Sequence, residues 1–164
     1  MPHHDKLANK LELIGLLIRE HLLIEQIITP LKTELKHSSQ QNTAHPQFIY
    51  NDVDFFRTYV DKFHHGKEED VLFLELSKKK LEPEHLRVMN ELEEDHRYAR
   101  RTEGDLVKAT GKWSPGEHQI IDNISDNLRK LIELYPRQLE KEDKHFSSHA
   151  KTIFPKRRES NYYK

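Results

Sequence analysis

Apolar residues recur every three or four positions through four long stretches of this chain, and nothing between them alternates with the period of two that a half-buried strand needs. That pattern leaves an all-α fold, in which each helix buries a stripe and exposes the rest. The first segment runs from about Asp5 to His37 and stops in HSSQQNTAHPQ, a polar stretch holding Pro46. The second continues to about Lys80, and Pro83 separates it from the third, which reaches Thr110 and ends at Gly111. GKWSPGE reads as a loop into the fourth segment, with Ser114 as N-cap, Pro115 at the first helical position and Glu117 closing a capping box. The expected architecture is an antiparallel up-down four-helix bundle over residues 1–154, followed by a polar C-terminal tail, 155–164.

Composition narrows the function. The 27 Lys and Arg balance 28 Asp and Glu, so no field of one sign draws the chain to nucleic acid or to an anionic membrane. With no cysteine there are no disulfides, thiolate metal sites or cysteine nucleophile. No apolar run is long enough to span a bilayer and no signal-peptide pattern opens the chain, so a cytoplasmic protein is expected. The 12 histidines stand out, because with plentiful carboxylates they offer nitrogen and oxygen ligands in quantity.

Heptad lines place these polar groups. In the first segment Leu7, Ile14, His21, Ile28 and Leu35 form one core line, with Leu11, Ile18 and Glu25 as its companion, so His21 and Glu25 face inward. In the third, Met89, His96 and Glu103 are flanked by Leu92, Ala99 and Leu106. In the fourth, the lines are Ile121, Leu128, Tyr135, Glu142, His149 and Ile124, Leu131, Gln138, His145. The second segment carries FHHGKEEDVLF. There Phe56 and Val60 lead to His64, Glu68, Val71, Leu72 and Glu75, whereas His65 and Glu69 continue the polar Thr58, Asp61 and Lys62. His64 and Glu68 are the better inward pair; the His65 and Glu69 register stays open, supported from the other side by Leu72, Phe73 and Leu76. His3, His4, His37, His45, His85 and His118 read as surface residues, and His65 as an outer partner of a site.

Each helix thus buries a histidine or carboxylate near its middle, and convergent buried charges require a common partner. Taken singly, His21 or His96 reads as a hydrogen-bonded core histidine, and Glu142 within EKED as part of a solvated charge run. Taken together, His21, His64, Glu68, His96 and Glu142 point to a metal ion, and imidazole with carboxylate suits iron, manganese or zinc better than calcium.

The motifs REHLLIE, HHGKEEDVLF, LEEDHRYAR and YPRQLEKEDKHF, in this order over about Asp5 to Phe146, resemble the four successive motifs of the hemerythrin-like, or HHE cation-binding, domain family. The resemblance implies a four-helix bundle around a non-haem di-iron centre bridged by oxygen and carboxylates. Its metal ligands would be His21, His64, Glu68, His96 and Glu142. The departure is Gln138, where the family usually has histidine. Three readings stay open: Gln138 hydrogen-bonds a metal-bound water beside an open position, His145 supplies the missing nitrogen, or the site holds a single ion or none firmly. Tyr135 would orient a ligand or simply pack, and Pro136 should kink the fourth helix beside the site.

The resemblance implies a protein that binds or processes a small oxygen or nitrogen species, namely dioxygen, peroxide or nitric oxide; no acid/base residue or reductant site marks it as an enzyme. Two rivals remain. Glu93 with His96 and Glu142 with His145 are Glu-x-x-His pairs, which with Glu25 and Glu68 would make a ferritin-like iron-oxidising or iron-storage protein. Alternatively, the polar seam fixes helix register in a metal-free interaction module.

Overall fold

The computed structural model describes the backbone of residues 2–147 and the side chains of 12–146. Leu7, Leu11, His3, His4, His149 and the tail 155–164 lie outside those limits for any side-chain statement. Helix α1 spans Pro2–Gln41. It outruns its expected end because Ser38 is buried against Glu34, and it stops at Asn42, whose φ of 52° is the left-handed conformation that asparagine tolerates after a helix. Helix α2 covers 46–77, with Pro46 in its first turn. Helix α3 is Pro83–Lys112 and again begins on proline, after an extended Glu82. Helix α4 is His118–Glu142, continued with wider turns over Asp143–Ser147.

The entry to α4 corrects one expectation. Ser114 does not cap the helix; the Glu117 N–H donates to the Ser114 carbonyl at 3.1 Å, and Gly116 sits at φ 96°. Proline followed by a positive-φ glycine is the chemistry of a type II turn, which takes Ser114 and Pro115 out of helical geometry and delays α4 to His118. Pro136 lies within α4 on its exposed side and the helix continues through it.

Each helix packs on the next, and α4 closes back on α1, making an all-helical antiparallel bundle. Its core is divided. One apolar cluster contains Ile24, Ile28, Leu31, Val53, Phe56, Val60, Ala99, Leu106, Leu128 and Leu131; the other contains Ile14, Leu17, Leu72, Leu76, Val88, Met89, Leu92 and Phe146. Each such side chain contributes about 1.5–3 kcal/mol by leaving water. Along every helix the boundary between the clusters falls at buried histidine or carboxylate: His21, His64 to Glu68, His96 and Glu142. The apolar clusters therefore clamp a polar layer from both sides.

The inward face of α1 differs from the expected one. Its companion line is Leu17, Ile24 and Leu31, three residues after each member of the first line rather than four, so Ile18 is half-buried and Glu25 is exposed. In α2, Val71 is exposed and Phe73 is buried. Among the described residues no helix is long and apolar enough to cross a membrane.

Candidate metal centre

The backbone of α2 decides which residues enter the layer. Over Phe56–His65 and Glu68–Phe73 its hydrogen bonds run from residue i to i+5, as in the Gly66 N–H to Asp61 carbonyl bond. A turn so widened separates consecutive side chains by a smaller angle than an α-helix does, and such turns recur at functional sites. His64 and His65 are consequently both buried, at 0% and 1% exposure, with Glu68 one turn on. The choice between the two registers dissolves, because both histidines face inward and only Glu69 stays at the margin.

The donor atoms converge in two groups that share Glu68. His21, His64, Glu68 and Glu142 each bring a ligand atom within 4.8 Å of the others, and so do His65, Glu68 and His96. His21 Nε2 is 3.0 Å from Glu142 Oε2, and His64 Nε2 is 4.0 Å from that oxygen and 3.8 Å from Glu68 Oε1. His96 Nε2 lies 3.3 Å from Glu68 Oε2 and 3.8 Å from Glu142 Oε1. Each carboxylate thus turns one oxygen toward the His21 and His64 side and the other toward the His96 side.

Outer carboxylates aim the rings. The Nδ1 atoms of His21, His64 and His96 meet Asp143 at 2.7 Å, Glu20 at 2.9 Å and Glu69 at 2.7 Å. A carboxylate can only accept, so Nδ1 carries a proton and Nε2 faces the layer, where a cation would displace any proton there and take the lone pair, the arrangement that typically orients a metal-binding imidazole. Lys67 holds Glu20, and Arg100 holds both Glu69 and Asp61. Of these outer partners the sequence singles out Glu69 only as half of the rival register, and Glu20 and Asp143 not at all. Their signal was adjacency, since Glu20, Glu69 and Asp143 each directly neighbour a residue already singled out for the site.

A cation fits this donor set. His21 Nε2, His64 Nε2, His96 Nε2, both Glu68 oxygens and Glu142 Oε2 are buried without a hydrogen bond among the described residues. Leaving a buried polar atom unsatisfied costs about 1–3 kcal/mol, so six in one layer require another partner. Charge points the same way. Burial opposes protonation of His21, yet the carboxylates of Glu142 and Asp143 beside it push its pKa up to about 9, so that without a cation the ring itself carries the positive charge. Burial would raise Glu142, but His21, His64 and His96 hold it well below the ordinary carboxylate range. Glu68 is raised, first by burial and then by the charge of Glu142. Two buried carboxylates demand positive charge, and a metal cation supplies it while using the Nε2 lone pairs.

The remaining predicted residues separate cleanly. Gln138 is fully buried and its amide donates to Glu142 Oε1 at 3.0 Å. His145 instead meets Nδ1 of His85 through its own Nε2 at 2.8 Å, so that nitrogen is engaged outside the layer and His85 is not simply a surface residue. Tyr135 is buried against Phe56 and donates to Glu103 at 2.7 Å, one polar pair inside the larger apolar cluster. The sequence profile of the hemerythrin HHE cation binding domain matches residues 12–150. The chain belongs to that family. Comparison with curated proteins and with solved structures returned no match. As an HHE cation-binding domain, the bundle has its buried His/Glu clusters on all of its helices, between two apolar clusters that exclude water.

Proposed function

We propose that this HHE domain holds two iron ions in the polar layer and binds or processes a small oxygen or nitrogen species there. The observation that carries the reading is the paired disposition of Glu68 and Glu142, each offering one oxygen to each side of the layer. Bridging carboxylates between two ions have this form, and His21 and His64 on one side with His96 on the other supply nitrogen. A ferrous pair would supply the electrons that bind or activate dioxygen, peroxide or nitric oxide. The chain's own residues set the conditions. Asp143, Glu20 and Glu69 hold the Nδ1 protons and so keep each Nε2 turned inward. Burial of His64, Glu68, His96, Gln138 and Glu142 keeps bulk water out, so only a small ligand enters without opening the bundle.

The ferritin-like alternative lacks its ligands. Glu25 is exposed, and Glu93 is half-exposed beside Arg97 at 3.8 Å. The metal-free module fares poorly for a different reason, since a register device should satisfy its own polar atoms. Anaerobic ferrous titration of protein made without a histidine tag tests the proposal, with optical spectra recorded before and after oxygen or peroxide. About two irons per chain and an oxygen-dependent spectral change are expected; below about 0.2 metal per chain the reading fails.

A further inference from the structure

We propose that the layer keeps its place for an outside ligand on the His96 side, and that Gln138 receives there a ligand bearing an O–H group, hydrogen peroxide rather than dioxygen or nitric oxide. The inference rests on reading the layer as a two-ion centre. Its two sides differ in their supply of donors. On one side His21, His64, Glu68 and Glu142 form a compact group, and His21 Nε2, His64 Nε2, Glu68 Oε1 and Glu142 Oε2 have no hydrogen bond among the described residues. On the other side only His96 Nε2 and Glu68 Oε2, 3.3 Å apart, are without one.

Two further groups stand on the His96 side, and both are already engaged. Glu142 Oε1, 3.8 Å from His96 Nε2, accepts the Gln138 NH2 at 3.0 Å. His65 Nε2 lies 3.0 Å from the same amide nitrogen, and its ring lies flat on His96 with centroids 3.7 Å apart, so His65 cannot join His96 on one ion. The chain thus gives an ion there one imidazole and two carboxylate oxygens, one of them shared with Gln138. Opposite, it gives two imidazoles and two unshared oxygens. Non-haem ferrous sites built on three protein donors keep positions open to a ligand.

Gln138 also sets what that ligand carries. The carboxylate of Glu142 accepts only, which fixes the NH2 of Gln138 toward it and leaves the carbonyl as the free end. That oxygen belongs to a fully buried side chain and has no hydrogen bond among the described residues. Carbonyl and nitrogen share one carbon, so the oxygen lies within about 5 Å of Glu142 Oε1, at the edge of the layer. A buried acceptor calls for a donor. Water and hydrogen peroxide have O–H groups to give, whereas dioxygen and nitric oxide have none. Gln138 thereby discriminates as hydrogen-bonding sites do, since its polar atom stays unpaired when the wrong ligand is bound.

Two measurements test this, with circular dichroism to verify folding. In anaerobic ferrous titrations, wild type should bind its two ions in steps at least about tenfold apart, and Gln138→His should tighten the weak step by about tenfold or more. His96→Ala should keep the tight step and lose the weak one. Wild-type steps within about threefold of each other, no tightening in Gln138→His, or loss of the tight step in His96→Ala would overturn the proposal while leaving the two-ion centre intact. A wild type that binds no iron, or a single ion, would overturn both. The second measurement compares wild type with Gln138→Leu, which removes the carbonyl at similar size, each loaded with two ferrous ions. Hydrogen peroxide takes one electron from each ion and two protons from solvent to give two waters, a reaction followed by stopped-flow absorbance; nitric oxide affinity is read by electron paramagnetic resonance. The variant should react with peroxide at least about tenfold more slowly and bind nitric oxide within about twofold of wild type. Equal peroxide rates, or equal losses toward both ligands, would refute the role of Gln138. If Gln138→Leu does not fold or hold both ions, Gln138→Met, likewise without the carbonyl, takes its place.

Discussion

Glu68 on α2 and Glu103 on α3 are equally buried, at 0% and 1% exposure, and burial is the largest influence raising both pKa values. Their surroundings differ in kind. Glu103 accepts a 2.7 Å hydrogen bond from Tyr135, whose ring stacks on Phe56 within the apolar cluster. Neither oxygen of Glu68 accepts a hydrogen bond, though His64 and His96 point their Nε2 atoms at it. Glu103 belongs to a closed pair that satisfies itself, and Glu68 to an open set that needs a cation. Burial of a carboxylate therefore does not mark a site; convergence of unsatisfied donors does.

The largest expected effect separates the two glutamates by metal. Glu68→Ala should remove iron binding on both sides of the layer. It should also abolish the iron-dependent rise in melting temperature, which in wild type reflects about 3 kcal/mol when free iron exceeds Kd a hundredfold. Glu103→Gln should leave iron content and that rise unchanged, and an equal loss in the two variants would erase the distinction.

The next effect belongs to Glu103 and depends on pH. Its folded pKa of about 7 lies above the ordinary 4.5, so the folded state prefers the protonated acid. Below pH 4.5 both states hold the proton and nothing is lost. As pH rises toward 7 the unfolded chain releases it first, and stability falls; beyond about pH 7 the loss is complete, roughly 3 kcal/mol for a difference of this size. Glu103→Gln keeps an acceptor for Tyr135 and cannot ionise, so urea unfolding should show it more stable than wild type at pH 8 and equal at pH 4. A gain that does not vary with pH would refute the assignment.

Two smaller effects sharpen the comparison. Glu69→Ala removes the acceptor of the His96 Nδ1 proton and should weaken iron binding about 10- to 100-fold without eliminating it, as measured by competition with a chelator. Tyr135→Phe leaves Glu103 without its donor and should cost about 1–3 kcal/mol of stability at pH 8, with iron affinity unchanged. A change in iron affinity with Tyr135→Phe would join the Glu103 pair to the metal layer.

The sequence by itself determined the helices and most of their inward faces, because a stripe of Met89, Leu92, His96, Ala99, Glu103 and Leu106 requires only local periodicity and one buried side. Pro46 and Pro83 likewise act locally, through a fixed φ and a missing N–H, and they mark helix starts wherever the chain folds. What needed the tertiary structure was everything set by contact between helices. The line through Leu17, Ile24 and Leu31 was selected over Ile18 and Glu25 by the faces that α2 and α4 present to α1. Asp143 became a partner of His21, and Glu69 of His96, only once α4 met α1 and α2 met α3. His65 shows the limit most clearly. A regular α-helix offers the core either His64 or His65, and heptad arithmetic assumes that helix; the i to i+5 bonding of α2 widens the turn and buries both, a backbone choice that packing against neighbouring helices stabilises and that side-chain periodicity does not encode.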